Sequence, residues 1–473
     1  MPFTSVTFIY YFLPAFLLAY LIAGRTHARN LVLLAASILF YTWGEFQYIY
    51  VLLLSAAVNY FWGRWIAERQ GTTRSLLLWS GIAINVAGLV IFKYAGFLLR
   101  VGDPLLALVG LPAFTSKIHL PIGISFFTFK AISYLVDVHR KDVVAEREPL
   151  IFATYLAMFP QILAGPIERF ADSESGLRKR TLTLSQFRTG AEYFIIGMAQ
   201  KLLIANSVAA PANTAFSTAP EALSASLAWL GALCYTIQIY FDFAGYTNMA
   251  IGLGHMMGFR FPANFNYPYA ARSVTDFWQR WHITLSTWLR DYLWFPLGAN
   301  RRGRLRTTVN LLLVFGLCGL WHGANYTFIA WGLFHGTLLA LERLGLLSLL
   351  SRVWGAVRTG YTVLMVMIGW VLFRADSLSY AQGFLRAMAG GPATTTGEML
   401  LRNLPPDVAL ALAAGILFSF PWPQTLKSQI GGFGPGVSMA WRFVSGAVLL
   451  IILIVSLMSL AEGSHNPFIY FRF

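Results

Sequence analysis

Charge is scarce in this chain of 473 residues: Asp, Glu, Lys and Arg together make up 12%. A water-soluble domain carries about 25%. With 57% hydrophobic residues and a mean hydropathy of +0.60, the sequence reads as a polytopic membrane protein rather than a soluble one. Cysteine is nearly missing. Cys234 and Cys318 both fall in apolar runs, which excludes a disulfide framework or a zinc cluster and leaves two buried small hydrophobes. The first residues, MPFTSVTFIYYFLPAF, have no basic segment before the apolar run. A cleaved leader needs one, so this stretch is expected to be a first span with its N-terminus outside. No Gly-x-Ser-x-Gly elbow, phosphate-binding Gly-rich loop or His-Glu-x-x-His helix occurs, nor the His-x-x-x-x-Asp of soluble acyltransferases; Thr327 stands five residues after His322.

Basic residues are in excess, 35 Lys and Arg against 20 Asp and Glu, giving a net charge of +15. In a soluble chain that would suggest nucleic acid. Here the charges sit in short loops, so nucleic acid is not expected. Topology and anionic headgroups account for them, and a phosphate-bearing substrate on the same face is a second reading. Apolar runs of spanning length cover residues 6–23, 30–46, 48–67 and 76–99. The loops after them alternate basic, neutral, basic, neutral, which again places the N-terminus outside. Segments 120–138 and 151–167 are interrupted by Pro and Gly and are expected to be re-entrant or tilted half-helices lining a cavity. Residues 168–188, with Arg178 and Arg180, read as the longest basic loop and are expected to be cytoplasmic. Spans follow at 192–209, 223–243, 328–341, 361–373, 408–420 and 443–460, and 381–403 is expected to be an external loop.

Residues 276–296 read as one amphipathic helix. Phe277, Trp278, Trp281, Leu285, Trp288, Leu289 and Tyr292 recur at spacings of three and four, with Arg280, Thr284, Thr287 and Asp291 opposite. The preceding Asn264-Phe265-Asn266-Tyr267-Pro268 is expected to be an irregular loop.

The stretch LLLVFGLCGLWHGANYTFIAWGL at 311–333 carries the oddest residue, His322, between two apolar runs. A histidine at membrane depth is costly unless paired, wetted or used. From Arg306 to His322 is about 24 Å of helix, short of the roughly 30 Å hydrocarbon core, so His322 should lie within the bilayer. Of the eight histidines, His27 and His139 fall in basic loops, His119 and His465 near span ends, and His255 in a packing position. His282 reads either as a hydrogen-bonded interfacial residue or as a second site residue, and His335 as helix packing or as a site residue. With nucleophile motifs missing, general-base chemistry remains: a neutral histidine takes the proton of a hydroxyl that attacks an activated acyl carbon. Asn325 stands within reach in sequence to steady the oxyanion. No metal is implied.

Taken together, Phe159–Ile167 (FPQILAGPI), Gln238–Tyr246 (QIYFDFAGY), Asp276–His282 (DFWQRWH), Leu289-Arg290-Asp291-Tyr292, Trp321-His322-Gly323-Ala324 and Trp331–Gly336 (WGLFHG) resemble the membrane-bound O-acyltransferase family, in its bacterial alginate O-acetyltransferase branch. The resemblance spans nearly the whole chain. It implies a single all-α membrane domain over 1–473, with N-terminal spans in 1–110, a catalytic core in 115–345 and C-terminal spans in 359–473. It further implies about 11 transmembrane helices, re-entrant and interfacial helices, and a central funnel with a tunnel. His322 would be the essential catalytic residue and His282 the second, on the donor side; Trp278, Trp281, Asp242, Asn325 and His335 would line the tunnel. The donor would be acetyl-CoA, with no bound cofactor. The acceptor would be an exported polysaccharide such as alginate or cellulose, and a periplasmic partner protein would complete the transfer from the bacterial inner membrane. D-alanyl transfer to teichoic acid and a non-enzymatic transporter are the alternatives. Where the branch has Tyr-Ser-Asp, this chain has Tyr246-Thr247-Asn248, so a charge-dependent role at 248 does not carry over.

Overall fold

The computed structural model describes the chain except for residues 109–117, 302, 391–401, 424, 426–434 and 464–473. His465 and residues 391–401 of the expected 381–403 loop lie outside the described residues. Every regular element among the described residues is helical. The chain divides into two compact units, one of residues 1–191 and 250–262, the other of residues 192–249 and 263–473.

The first unit begins with a π-turn and α1 (Leu13–Ile22), followed by α2 (Thr26–Glu45), α3 (Ile49–Glu68), α4 (Gly71–Leu89) and α5 (Ala95–Leu108). Next come α6 (Ile124–Arg140), α7 (Pro149–Ala157), α8 (Phe159–Ile162), α9 (Phe170–Arg178) and the start of α10 (Leu184–Ala199). Helix α6 is unbroken, because Pro121 and Gly123 lie before it. Gly123 takes φ +79°, and a Cβ there would meet the carbonyl of Ile162 at 2.3 Å, so the start of α6 tolerates only glycine. The 151–167 segment does break, between α7 and α8. A buried polar line holds this region: the Lys130 ammonium donates to the Tyr155 carbonyl at 2.5 Å and to Gln161 Oε1 at 2.7 Å, and the Gln161 amide donates to the Glu168 carboxylate. A buried cation and anion are tolerable only when bridged in this way.

The expected loop at 168–188 instead holds α9 and the start of α10. Arg180 is buried, donating to Tyr20 Oη at 2.6 Å and Asn30 Oδ1 at 2.7 Å, with its guanidinium 4.6 Å from the Phe259 ring. Arg178 pairs with Glu146 at 2.7 Å and Glu174 at 2.9 Å. These arginines are tied into the fold because α9 brings them against carboxylates and aromatic rings that sequence spacing does not reveal.

The second unit contains α11 (Ala209–Ser217), most of α12 (Ala225–Met256), α13 (Val274–Arg280), α14 (Ile283–Leu289), α15 (Arg304–His322), α16 (Tyr326–Leu341), α17 (Leu347–Ser351), α18 (Gly355–Arg374), α19 (Leu378–Met388), α20 (Pro406–Phe418) and α21 (Pro435–Ala461). Helix α12 runs well past the expected end at residue 243. Helix α19 occupies the first part of the expected external loop. The expected single helix over 276–296 is two short helices with a break at Trp281 and His282.

Helices α15 and α16 form a hairpin through Gly323, Ala324 and Asn325. Asn325 caps α16, its Oδ1 accepting from the Thr327 N–H at 3.2 Å. The two backbones touch: a Cβ on Gly319 would meet the Phe328 carbonyl at 2.1 Å, and one on Gly332 the Phe315 carbonyl at 2.1 Å. Small residues permit this approach where lipid supplies no hydrophobic drive. Seven helices among the described residues are long and apolar enough to cross a membrane, eight if the bent pair 184–205 and 209–217 is one span. The chain is an all-helical, multi-pass membrane protein. That number is below the expected eleven because Thr7–Ile22 and Pro406–Phe418 are too short to count and 26–68 runs as one helical stretch.

Candidate functional site

The break between α13 and α14 is built by the 264–268 loop. The Ile283 N–H donates to the Asn264 carbonyl at 2.9 Å, and the Asn266 N–H donates to the Arg280 carbonyl at 2.9 Å. These bonds replace helical ones and fix His282 at φ +42°, ψ +55°. A left-handed non-glycine residue is strained, and such strain persists where the surroundings impose it. The His282 side chain is fully buried. Its Nδ1 lies 3.1 Å from Asn264 Oδ1, which also accepts from Thr284 N at 3.3 Å and Thr284 Oγ1 at 2.9 Å. Asn264 Oδ1 is thereby an acceptor. With the ring neutral, Nδ1 is the donor and Nε2 carries the lone pair. Nε2 is buried and has no hydrogen-bond partner among the described residues.

His322 is the last residue of α15, buried, and boxed by three rings. Trp321, Trp331 and Phe373 have centroids at 4.9, 5.0 and 5.3 Å from its own. The Trp321 ring also stands 6.3 Å from His282, so one indole touches both histidines. On the other side, Trp331 is 5.2 Å from His335, and His335 is 5.4 Å from Trp278. The Trp278 indole N–H donates to His335 Nδ1 at 3.4 Å. His335 Nε2 faces α18, where a Cβ on Gly369 would sit 2.6 Å away. That is the contact of a helix-packing residue. Trp281 stacks over Phe277 at 5.6 Å and meets Trp370 at 4.8 Å.

The remaining residues singled out from the sequence are placed as follows. Asp242, on α12, forms a buried ion pair with Lys201. Each partner compensates the other's loss of water, and removing one would strand a charge. Asn325 spends its amide on the α16 cap and on the Asp376 carbonyl at 3.1 Å. Asn248 bonds Gln200 at 2.8 Å, a neutral amide pair where a carboxylate was expected. His119, outside this unit, pairs with Glu45 at 2.9 Å. Sequence reading missed Asn264 as the orienter of His282, although its loop was noted. It also missed Trp370, Phe373 and Gly369, which arrive from α18. Glu342 was missed too: its carboxylate accepts from the Val274 and Thr275 N–H groups at 2.7 and 2.8 Å and pins α13. No sequence motif links residues 342 and 274. No group of three or more His, Cys, Asp or Glu among the described residues can hold a metal.

Residues 70–381 match the model of the membrane-bound O-acyltransferase family, MBOAT, over well more than half of the chain. The chain belongs to the membrane-bound O-acyltransferase family. As an acyltransferase it is an enzyme, which removes the non-catalytic transporter from consideration. It is similar to the probable alginate O-acetylase AlgI of Pseudomonas putida, 40% identical over 495 positions that cover all of both chains. The probable alginate O-acetylase AlgI of Pseudomonas aeruginosa is 38% identical over 528 positions, again end to end. The peptidoglycan O-acetyltransferase of Helicobacter pylori is 35% identical over 427 positions, 82% of this chain and 80% of its own.

Proposed function

We propose that this O-acyltransferase moves an acetyl group from cytoplasmic acetyl-CoA to an exported polysaccharide of the alginate class, working in the bacterial inner membrane. The observation that carries the reading is the pairing of His322 with His282 across one indole ring, in a chain aligned end to end with probable alginate O-acetylases. His322 is the general base. It takes the proton of an acceptor hydroxyl as that oxygen attacks the thioester carbonyl carbon. The carbon–sulfur bond then breaks, and the thiolate leaves and regains a proton. His282, oriented by Asn264, offers an Nε2 lone pair on the donor side. A tunnel past Trp278, Trp281 and Trp321 joins the two aqueous faces. A periplasmic partner protein receives the acetyl group or presents the polysaccharide.

The N-terminus lies outside, following the loop charges. The helical stretch Thr26–Glu68 is about 65 Å long, twice the roughly 30 Å core, and it bends at Glu45, so it crosses twice. With Thr7–Ile22, Pro406–Phe418 and the bent pair, the crossings number about eleven. The test is His322→Ala in a strain that exports the polysaccharide. Polymer acetylation, measured by NMR of the purified glycan, should fall to background at unchanged protein level. Full acetylation in that strain would overturn the base assignment.

A further inference from the structure

The first unit holds a cavity of about 440 Å³, lined by α9, the segment that follows it and residues 258–260 just past α12. Arg180 forms part of its wall and is buried. The guanidinium is held on two of its three nitrogens. Nε donates to Tyr20 Oη at 2.6 Å, and Nη1 donates to Asn30 Oδ1 at 2.7 Å and to the Gly176 carbonyl at 2.9 Å. Tyr20 is itself fixed, its hydroxyl donating to the Met257 carbonyl at 2.7 Å. The Phe259 ring covers the guanidinium. Nη2 is left: buried, with no hydrogen-bond partner among the described residues. Burying donors without an acceptor is costly. A guanidinium held this firmly, with two N–H groups unspent at a cavity wall, is half of an anion site.

The surrounding charges do not answer it. Lys179 and Arg260 also line the cavity, both exposed, and neither forms an ion pair among the described residues. Two carboxylates line it as well. Glu168 accepts from Gln161, which in turn accepts from Lys130, so its charge is already met. Asp172 is exposed. Three cations against this one available carboxylate leave two positive charges in excess. Arg29 adds to them. Its guanidinium lies 5.9 Å from the Tyr20 ring centroid, and that of Arg180 lies 5.5 Å from the same centroid. Arg29 Nε, too, is buried without a hydrogen-bond partner among the described residues. Like charges gathered on one ring repel, and an anion beside them removes that cost.

The apolar surroundings select the kind of anion. Leu18, Leu21 and Ile22, beside Tyr20 on α1, are exposed, and so is Leu184, two residues before the cavity-lining Gln186. In a membrane protein such side chains meet acyl chains, which are as apolar as leucine. The volume exceeds what a phosphate ion fills and falls in the range for organic groups, about 300–1,000 Å³. Basic residues near the membrane surface attract the anionic lipids of the cytoplasmic leaflet, and the proposed orientation puts residues 168–188 on that side.

We propose that this cavity is a binding site for an anionic phospholipid, with its phosphodiester on Arg180 Nη2, Lys179 and Arg260 and its acyl chains along α1. The bound lipid ties α1, α9 and the end of α12 together, and the site stands independently of the acyl-transfer reading. A free phosphate ion offers the same oxygens, and the experiment separates the two sources.

Delipidated full-length protein in a neutral detergent is studied by native mass spectrometry and by thermal melting. Dioleoyl phosphatidylglycerol, dioleoyl phosphatidylcholine and inorganic phosphate are added separately. Phosphatidylglycerol should bind as one tight equivalent and raise Tm. Phosphatidylcholine, which has no net charge, should bind about tenfold more weakly or less. Lys179→Gln with Arg260→Gln changes two exposed side chains and should leave the lipid-free Tm as it is. The same variant should lose about tenfold or more in phosphatidylglycerol affinity, together with the gain in Tm. Arg352→Gln, an exposed arginine outside the cavity, should bind as wild type. Unchanged phosphatidylglycerol affinity in the double Gln variant would overturn the site, and so would equal binding of the two lipids. Inorganic phosphate that displaces phosphatidylglycerol and raises Tm equally would also overturn it, assigning the cavity to a free anion.

Discussion

At the scale of single residues, the position of one proton matters most. Asn264 Oδ1 accepts from His282 Nδ1 and from both Thr284 donors, and this leaves the lone pair of His282 on the buried Nε2. Asn264→Ala removes the acceptor and leaves the His282 Nδ1 and Thr284 donors without it. Losing such a buried bond costs about 1–3 kcal/mol, so acyl transfer should fall by about tenfold or more, with the protein still folded. The rate of acetyl transfer by purified variant, set beside its melting temperature, checks this. A wild-type rate would mean that the tautomer of His282 is irrelevant to turnover. His335 makes a useful contrast. It is equally buried, yet its Nε2 is pressed against Gly369 of α18, so its place is in packing. The sequence offers three histidines in similar apolar company. Their neighbours across space, not along the chain, separate them.

At the scale of elements, the α15–α16 hairpin positions His322. Its two backbones meet at Gly319 and Gly332, where added methyl groups would lie 2.1 Å from carbonyl oxygens. Gly319→Ala should force the helices apart and displace the end of α15. Overpacking of this kind costs about 1–3 kcal/mol, and the melting temperature in detergent should fall accordingly. Gly446→Ala in α21 serves as the control. A Cβ there meets nothing within 4 Å, and replacing a helical glycine in open space stabilises by about 0.5–1 kcal/mol. Equal melting temperatures for the two variants would show that the hairpin relaxes without moving His322. The α13–α14 break teaches the complementary point. Its aromatic spacing is continuous across residues 277–292 and reads as one helix. The break comes from the 264–268 loop, which takes backbone bonds that a continuous helix would have made. Periodicity records which face is buried and not whether the axis bends.

At the scale of the whole molecule, a scarcity of charge and a basic excess confined to loops make the chain a multi-pass membrane protein and give its proposed orientation. Orientation has a direct readout, since Cys234 and Cys318 are both fully buried and leave little labelling background. With cysteines introduced singly at Arg352 and Glu221, an impermeant maleimide applied to intact cells should label position 221. Position 352 should react only after the membrane is opened. The reverse pattern would invert the topology and place the arginine-lined cavity on the outer face.

The sequence by itself determined the class and the family, and it singled out the two histidines that the proposed mechanism uses. Composition reflects the solvent in which a chain folds, and motifs such as Trp321-His322-Gly323 and Asp276–His282 are local strings. Only the tertiary structure decided which groups meet. It set Asn264 behind His282, placed Trp321 against both histidines, turned His335 toward α18, and buried Arg180 in a stretch expected to be a basic loop. It also brought Arg180 and Arg260 to one cavity, 80 positions apart in the chain. Such contacts arise from packing between elements distant in sequence, and no local period or spacing encodes them.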